Sequence, residues 1–370
     1  MAVSVLITGG AGFIGSHVSD ELLAAGYRVR ALDNLHPQVH EERCRPAWLD
    51  DRVELVVGDV RDPGDVRAAL DGMDAVVHLA AAVGVGQSMY RLVDYTSTNN
   101  VGTAVLLEAL VERPVARLVV ASSMSIYGEG RYEDAQGRAH DSVTRVAADL
   151  RRREWSPLAN GVPLRPVPTP EEKPPGATSV YALSKYDQER MCLLVGQAYG
   201  IPTVALRLFN VYGPRQSLSN PYTGVLSIFA SRLLNGRAPF VFEDGEQRRD
   251  FVNVRDVARA FRLALEADGA RGQVMNVGFG RSASVREVAE RIATALGCEH
   301  IAPEISGKFR VGDIRHCFAD TRKTQEILGF SPRIELEEGV AELGTWLAGR
   351  TPVDRVDLAQ RALVERGLTL

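Results

Sequence analysis

The sequence predicts an α/β protein with a doubly wound parallel sheet, helices on both faces of that sheet, and a smaller C-terminal α/β lobe. Short apolar segments alternate with segments of helical periodicity through the first third of the 370 residues. Fully apolar strands of this kind are typical of parallel sheets that are buried on both faces. A glycine-rich segment also separates the first predicted strand from the first predicted helix. The chain length allows such a sheet and a second lobe, since domains commonly contain roughly 100–200 residues.

The alternation can be followed along the chain. The first strand is predicted at residues 3–8 and the first helix at 13–25, where Ile14, Val18 and Leu22 recur at helical spacing. Further strands are predicted at 28–33, 53–57, 75–79, 117–121 and 202–208, and further helices at 66–70, 101–111 and 180–199. Strands and helices in this order imply a parallel sheet.

The remaining regions are less regular. Residues 129–177 are rich in charge and proline, which predicts a long surface insertion, either a variable loop or a flap over the active site. We assign residues 1–207 to the main domain and 208–370 mainly to the smaller lobe and C-terminal helices. The segment 249–277 is expected to return to the main domain, with a strand near 250–254 in the main sheet, and 353–368 to form a tail helix.

Composition excludes several classes of protein. A formal net charge of −4 gives no general basic field for nucleic acid. The four cysteines are scattered without a C-x-x-C pair, so we expect reduced thiols, no disulfide framework and no metal site. No apolar run approaches the ~20 residues that span a bilayer. The sequence therefore predicts a cytoplasmic protein with no membrane or nucleic-acid partner.

A glycine-rich turn follows the first predicted strand. Gly9, Gly12 and Gly15 lie where the strand passes into the first helix, and such glycines allow a tight turn and close approach of the backbone to a pyrophosphate. The helix N-terminus then presents unpaired N–H groups to the phosphates. Asp33 ends the second strand and can accept hydrogen bonds from the adenosine ribose, which favours NAD over NADP. Residues 1–207 are therefore predicted to be an NAD-binding domain of the Rossmann type.

A serine, a tyrosine and a lysine complete a chemical set. Ser122 and Ser123 close the strand at 117–121, at the strand end where open α/β sheets bind ligands. Tyr181 and Lys185 are four residues apart on a predicted helix, so both lie on one face. A phenol is a poor base at neutral pH, but an adjacent ammonium group and the nicotinamide charge lower its pKa.

These motifs together resemble those of the extended short-chain dehydrogenases/reductases of the NAD-dependent epimerase/dehydratase family. The resemblance covers roughly residues 3–345, and its further motifs are residues 78–81, 99–103, 207–214 and 249–256. It implies that Tyr181 is the catalytic base, Lys185 its partner, and Ser123 a hydroxyl that contacts the substrate. It also implies a homodimer formed through the helices at 101–111 and 180–199.

The same resemblance implies two sets of binding residues. The substrate nucleotide and diphosphate would be bound by Asn210, Arg249 and Arg310, and paired charge-assisted hydrogen bonds make arginine suitable for a diphosphate. A structural or surface role is the alternative for either arginine. The NAD site would comprise Gly9, Gly12, Phe13, Ile14, Gly15, Asp33, Asn34, Asp59, Val60, Leu79, Ala80, Ala81, Asn99, Ser122, Tyr181 and Lys185.

Departures from the family pattern narrow the reaction. The related sugar 4,6-dehydratases carry an Asp-Glu pair directly after the position of Ser123, whereas this chain has Met124 and Ser125, which cannot perform that proton chemistry. The minimal set that remains predicts a nucleotide-sugar 4-epimerase. A 4-ketoreductase needs the same residues and stays open, a 4,6-dehydratase is disfavoured, and a non-catalytic dinucleotide sensor is the alternative of another class. Residues 78–90, 122–130 and 312–320 resemble the dTDP-L-rhamnose 4-epimerases, so the sugar is expected to be dTDP-L-rhamnose or a related dTDP- or UDP-hexose.

Overall fold

The computed structural model describes residues 2–40, 42–222, 224–310, 312–350 and 352–369. Within them, a parallel sheet of seven strands forms the centre of the molecule, in the order β7-β6-β5-β4-β1-β2-β3. Its neighbouring strands all pair in the parallel sense. The strands are β1 Ser4–Thr8, β2 Arg28–Asp33, β3 Glu54–Val57, β4 Ala75–His78, β5 Arg117–Ser123, β6 Thr203–Leu208 and β7 Val274–Val277. This arrangement confirms the predicted fold class.

Helices cover both faces of this sheet. The α-helices of the described residues, including those of the insertion and the smaller lobe, are α1 Phe13–Ala24, α2 Pro63–Leu70, α3 Val85–Ser88, α4 Leu92–Tyr95, α5 Gly102–Glu112, α6 Ala147–Arg151, α7 Val180–Tyr199, α8 Val225–Leu234, α9 Val254–Glu266, α10 Val285–Ala295, α11 Arg322–Leu328, α12 Leu336–Leu347 and α13 Val356–Val364. The predicted helices at 13–25, 66–70, 101–111 and 180–199 are confirmed with shifts of up to three residues at their ends. None of the helices in the described part of the chain is long and apolar enough to cross a bilayer.

Alternate side chains along a strand of the central sheet pack in two separate apolar cores, one on each face. Val5 and Ile7 of β1 pack in one core with residues of α1 and α9, while Leu6 between them packs in the other with α2, α5 and α7. All three side chains are inaccessible to solvent. Successive residues of a strand point to opposite faces, so an apolar run is needed where both faces are covered.

The insertion at 129–177 carries a small sheet of its own. Its paired strands are Arg131–Glu133, Ala139–His140 and Arg165–Val167, and a two-stranded ribbon joins Leu158–Ala159 to Val162–Pro163. The buried guanidinium of Arg145 holds the insertion to the rest of the chain. It donates to Glu129 (2.8 Å), to Glu243 (2.7 Å) and to the carbonyl of Asp313 (2.6 Å). The insertion is therefore anchored to the segments at 243 and 313.

The smaller lobe is built around α8, α10 and α12, whose apolar faces form a third core. Its main sheet contains the strands Asn210–Tyr212, Arg248–Asn253, Ser282–Ser284 and His316–Cys317. The expectation that a strand near 250–254 joins the central sheet is wrong, because Arg248–Asn253 pairs with these short strands. The chain returns to the central sheet later, through β7.

The tail helix predicted at 353–368 is present as α13, and it lies against the main domain. Leu363 of this helix packs close to Gly86, and Arg366 lies 4.5 Å above the ring centre of Tyr90. Beyond it, Thr369 forms an isolated antiparallel bridge with Arg310. The C-terminal segment thus contacts both the region after β4 and one of the two arginines assigned to the substrate.

Candidate active site

The glycine-rich turn between β1 and α1 has the close contacts expected for a dinucleotide loop. Gly9 has a φ of +70°, and its N–H donates to the carbonyl of Leu32 at 2.7 Å. A Cβ added at Gly15 would lie 2.3 Å from the carbonyl oxygen of Gly9, so only glycine lets the helix pack on the turn. A Cβ at Gly12 would meet only that same oxygen, at 3.3 Å. The outer side of Gly12 is therefore the open side of the turn.

The first turn of α1 is free to receive an anion. Gly12 is the N-cap and supplies no side-chain hydrogen bond, and the first turn contains no acidic residue. The N–H groups at a helix start have no partner within the helix, and the helix dipole favours negative charge there. An open glycine beside an uncapped helix start fits a pyrophosphate.

Asp33 is held at the end of β2 by the backbone. Its carboxylate accepts hydrogen bonds from the N–H groups of Ala11 (3.1 Å) and Leu35 (2.9 Å), one on each oxygen. His40 approaches to 3.9 Å, and burial lowers the pKa of this imidazole despite the carboxylate beside it. A carboxylate held in this place, next to the glycine turn, would repel a ribose 2′-phosphate.

Hydrogen bonds also hold the residues that follow β2, β3 and β4. Asn34 donates to Asp59 at 3.2 Å, and hydrogen bonds from Arg61 lower the pKa of Asp59 to about 2 although burial opposes this. Val60 is buried. The N–H groups of Leu79 and Ala80 donate to the carbonyl and hydroxyl oxygens of Thr8, at 3.1 and 3.2 Å. These contacts fix the ends of β3 and β4 beside the glycine turn.

Asn99 lies in a π-helical turn, Thr96–Val101, between α4 and α5. Its fully buried amide accepts from the N–H of Ala82 at 2.7 Å and donates to the Ala82 carbonyl (3.1 Å) and to the hydroxyl of Ser184 (2.8 Å). Asn99 therefore joins the segment after β4, which contains Ala81, to helix α7.

The structure brings Ser123 and Tyr181 together. Ser123 ends β5, and Tyr181 lies in the first turn of α7, which Ser179 caps by accepting from the N–H of Ala182 at 3.1 Å. Burial raises the pKa of Tyr181, and a hydrogen bond with Ser123 lowers it. The Ser123 oxygen also accepts from the hydroxyl of Ser125 at 2.9 Å. The phenol therefore meets Ser123 at the end of β5, and Ser123 is itself held by Ser125.

Lys185 lies one turn further along α7 and is 4% exposed. Burial lowers the pKa of its amine to about 8, and the amine donates to the side-chain oxygen of Gln188 at 2.7 Å. Ser122, the neighbour of Ser123, donates its hydroxyl to Glu189 at 2.6 Å. The Ser122 side chain is thus bonded to α7, so only its backbone is free to face a cofactor.

The two arginines assigned to the substrate both lie against Asp313, which sequence reasoning did not identify. Arg310 donates to Asp313 at 2.9 and 3.1 Å and stacks 4.6 Å above the centre of the Phe242 ring. Arg249 lies 3.7 Å from the same carboxylate and donates to the carbonyls of Ile314 and Arg315. Burial disfavours the charge of Asp313, but the two arginines hold its pKa below the ordinary value. The spacing of three residues between Arg310 and Asp313 was the available signal.

Asn210 lies two residues after β6, in a short strand paired with the strand that carries Arg249. Its side-chain oxygen is buried and has no hydrogen-bond partner among the described residues. A buried acceptor without a partner is rare in folded proteins, so this oxygen is available to a ligand donor.

The chain belongs to the NAD dependent epimerase/dehydratase family, whose sequence pattern it matches over residues 5–146 and 160–278. It is therefore an enzyme of this family, and NAD is its cofactor, as the glycine turn and Asp33 predicted. It is 37% identical to a dTDP-L-rhamnose 4-epimerase of Burkholderia thailandensis, covering 93% of this chain and 94% of that protein. It is 33% identical to a putative UDP-glucose 4-epimerase of Methanocaldococcus jannaschii, covering 93% and 98%.

The fold is also similar to that of solved structures. A UDP-glucose 4-epimerase of Thermus thermophilus in complex with NAD superimposes with a TM-score of 0.74 at 32% identity, covering 94% of this chain and 99% of that chain. The similarity extends over both the main domain and the smaller lobe.

Proposed function

We propose that this protein is a nucleotide-sugar 4-epimerase that oxidises C4 of the sugar and reduces it again from the opposite face. The observation that carries the proposal is the contact between Ser123 and Tyr181, with Lys185 one turn away, at the strand end next to the glycine turn. Ser125, where a dehydratase needs an acid, donates to Ser123 instead, which supports epimerisation over elimination. NAD, when bound, accepts the hydride from C4 and gives it back.

Tyr181 is the proposed base. Its phenolate removes the proton of the C4 hydroxyl as hydride leaves C4, and the phenol returns that proton when the 4-ketosugar is reduced. Burial alone raises the pKa of Tyr181, so the base needs a nearby positive charge, which Lys185 supplies. Ser123 donates a hydrogen bond to the reacting oxygen and keeps it in line with the phenol.

The cofactor would be held by the turn and strand ends described above. Phosphates would meet Gly12, Phe13, Ile14 and Gly15 at the start of α1, and the adenosine ribose would meet Asp33. The adenine edge would be near Asn34, Asp59 and Val60. The remaining cofactor contacts are proposed for Gly9, Leu79, Ala80, Ala81, Asn99, Ser122, Tyr181 and Lys185.

The substrate is proposed to be dTDP-L-rhamnose or a related dTDP- or UDP-hexose. Arg249 and Arg310, which share the Asp313 carboxylate, supply guanidinium groups for the diphosphate, and Asn210 supplies an unpaired acceptor for the nucleotide. The choice of dTDP-L-rhamnose rests on the motifs at 78–90 and 122–130 and on the 37% identity to the Burkholderia thailandensis enzyme.

We also propose a homodimer that forms through α5 and α7. Leu183 and Leu194 of α7 are 52% and 55% exposed, and their spacing of eleven residues places them on one stripe of the helix. Val101, directly before α5, is 49% exposed. A cytoplasmic location is part of the proposal, and it is supported by four cysteines that are all free thiols.

The experiment is turnover without added cofactor. Purified protein would be mixed with dTDP-L-rhamnose, and the H-4 couplings followed by proton NMR, with Tyr181→Phe as the matched inactive control. The proposal predicts signals of the 4-epimer that grow to a constant ratio in the wild type alone. A panel of dTDP- and UDP-hexoses that stays inert until NADH or NADPH is supplied would instead indicate a 4-ketoreductase. Retained NAD with no turnover under either condition would indicate a non-catalytic sensor.

A further inference from the structure

Gln188 makes a contact with Lys185 that the proposed chemistry does not account for. Its side-chain oxygen accepts one N–H of the Lys185 amine at 2.7 Å, and Gln188 has no solvent-accessible surface. An ammonium group has three N–H donors, so two remain for other partners. A fully buried amide that accepts one hydrogen bond from an ammonium group can fix the position of that group.

The other end of the Gln188 amide is fixed by a buried network. Its N–H group donates to the Thr103 hydroxyl at 2.7 Å, and that hydroxyl donates to the carbonyl of Asn99 at 2.6 Å. The Thr103 oxygen lies 2.9 Å from Nε2 of His78 and, with its own proton engaged, accepts from it. Nδ1 of His78 then accepts from the Thr8 hydroxyl, at 2.7 Å. The Lys185 amine can only donate and the Thr103 hydroxyl gives its proton to Asn99, so the amide oxygen of Gln188 points to Lys185 and its NH₂ group to Thr103 and His78.

We propose that Gln188 is a positioning residue for the reaction: it holds the ammonium group of Lys185 beside Tyr181 without neutralising the charge. An amide oxygen accepts the same hydrogen bond as a carboxylate would, but it adds no negative charge. A carboxylate at this position would cancel the field that makes Tyr181 a usable base. The inference rests on the proposed function, because it assigns Lys185 the task of supporting Tyr181.

The surroundings of Lys185 leave Gln188 as its direct hydrogen-bond partner among the described residues. The titratable groups whose charges act on it are Glu189 and Cys192 on α7 and His78 on β4, and Tyr181 lies one turn away on the same helix. Burial makes both neighbours Cys192 and His78 neutral near pH 7, since it raises the pKa of Cys192 to about 12 and lowers that of His78 to about 3. Glu189 is paired with Arg207 at 2.7 Å. The position of the amine is thus set by Gln188.

Two variants of similar size distinguish a role of Gln188 in positioning the Lys185 amine from a role in filling space. In Gln188→Glu the hydrogen bond is kept and a charge is added, whereas in Gln188→Met the volume is kept and the acceptor is lost. Thr203→Val is the control, because it removes another buried hydrogen bond, to the Ile201 carbonyl at 2.9 Å, beside the far end of α7. Retained NAD and thermal unfolding would establish that each variant is folded.

The first readout does not require a substrate. The chain has four lysines, at positions 173, 185, 308 and 323, so the amine of Lys185 can be titrated by NMR in protein labelled with ¹³C at lysine Cε and assigned with Lys185→Arg. The inference predicts that Gln188→Glu moves the Lys185 titration upward by about 1–3 pH units, that Gln188→Met moves it downward, and that Thr203→Val leaves it in place. Titrations that coincide in all four proteins would overturn the inference, as would failure of both Gln188 variants to fold.

The second readout is the pH profile of the reaction. For Gln188→Glu, the rise of kcat/KM with pH should move to higher pH, since Tyr181 becomes harder to ionise. For Gln188→Met, kcat should fall by about 10- to 100-fold with KM for the nucleotide sugar within about threefold of the wild-type value. A loss equal to that of Thr203→Val, with an unmoved profile, would show a merely structural role. If the Lys185 titrations move as expected but the wild type turns over no nucleotide sugar, then the proposed function fails while the control of Lys185 by Gln188 stands.

Discussion

Replacing Glu189 by glutamine should destabilise the fold by an amount that the structure allows us to work out. Glu189 lies on α7 and Arg207 on β6, and their side chains are 1% and 7% exposed. Arg207 donates two hydrogen bonds to the carboxylate, at 2.9 and 2.7 Å, and Ser122 donates a third at 2.6 Å. Burial opposes the charge of Arg207, but its hydrogen bond with Glu189 raises the pKa of the guanidinium. The pair therefore connects the helix that carries Tyr181 to the sheet.

Hydrogen bonds to charged groups are each worth about 1.5–3 kcal/mol, so the two from Arg207 sum to about 3–6 kcal/mol. The variant Glu189→Gln keeps one acceptor oxygen but removes the charge and turns an NH₂ group towards existing donors. Breaking one partner of a buried ion pair commonly costs about 3–5 kcal/mol, because the other charge stays buried. We expect Glu189→Gln to lower the free energy of unfolding by about 3–5 kcal/mol.

The assay is urea denaturation in excess NAD, so that loss of cofactor does not contribute to the difference. Glu189→Leu, Arg207→Met and the double variant Glu189→Leu/Arg207→Met complete the comparison. Replacing both members of a buried pair is often nearly neutral, so the double variant should be more stable than either single one. A loss below about 1 kcal/mol for Glu189→Gln, typical of an exposed pair, or a double variant as unstable as the sum of the singles, would refute the reasoning.

Three further predictions follow from the site and its surroundings. Gly12→Ala should fold like the wild type but bind NAD at least about tenfold more weakly by calorimetry, because its Cβ projects into the open side of the turn. The control Gly269→Ala, which has open space around it, should bind NAD normally. Equal affinities of the two variants would place the pyrophosphate elsewhere. Arg310→Met should raise KM for the nucleotide sugar by about 10- to 100-fold. The control Arg350→Met, which also removes an arginine stacked on an aromatic ring, should leave KM unchanged. Equal KM values of the two variants in steady-state kinetics would remove Arg310 from the site. Acidification should destabilise the fold, since burial lowers the pKa of three imidazoles from 6.5 to about 3–4. Below pH 6.5 the unfolded chain binds these protons and the folded chain does not, so the stability is complete above pH 6.5 and falls by about 2 kcal/mol per imidazole by pH 5. Urea midpoints that stay constant or rise towards pH 5 would contradict this prediction. These imidazoles belong to His17, His78 and His316.

The parts of the fold that could be predicted depend on local signals. A strand buried on both faces must be apolar throughout, as in β1, and a helix such as α7 shows its bounds through the Ser179 cap and through Gly200 in the left-handed region at its C-terminus. Glycines 9 and 15 could be assigned because no side chain fits the contacts that they make. The spacing of four residues placed Tyr181 and Lys185 on one face of this helix.

What could not be predicted depends on partners far apart in the chain. The strand Arg248–Asn253 ends in apolar residues, as a strand of the central sheet would. Only its pairing with Asn210–Tyr212 and Ser282–Ser284 assigns it to the smaller lobe. Arg145 looks like one arginine among many in a charged insertion, yet it is buried between Glu129 and Glu243. Asp313 and Gln188 were missed for the same reason, since their importance comes from Arg249 and from Thr103, which lie more than 60 residues away along the chain.

The central claim is that the enzyme removes a hydride from C4 and returns it to the same carbon. A sugar nucleotide that carries deuterium at C4 tests this claim most directly. The protein, with its retained NAD and no added cofactor, would be incubated with this dTDP-L-rhamnose in ordinary water, and both epimers analysed by NMR and mass spectrometry. The account predicts that both epimers keep the deuterium at C4, because the same bound cofactor accepts and returns it. Epimerisation with loss of deuterium from C4 to the solvent would contradict it, since inversion would then proceed by proton exchange rather than by hydride transfer.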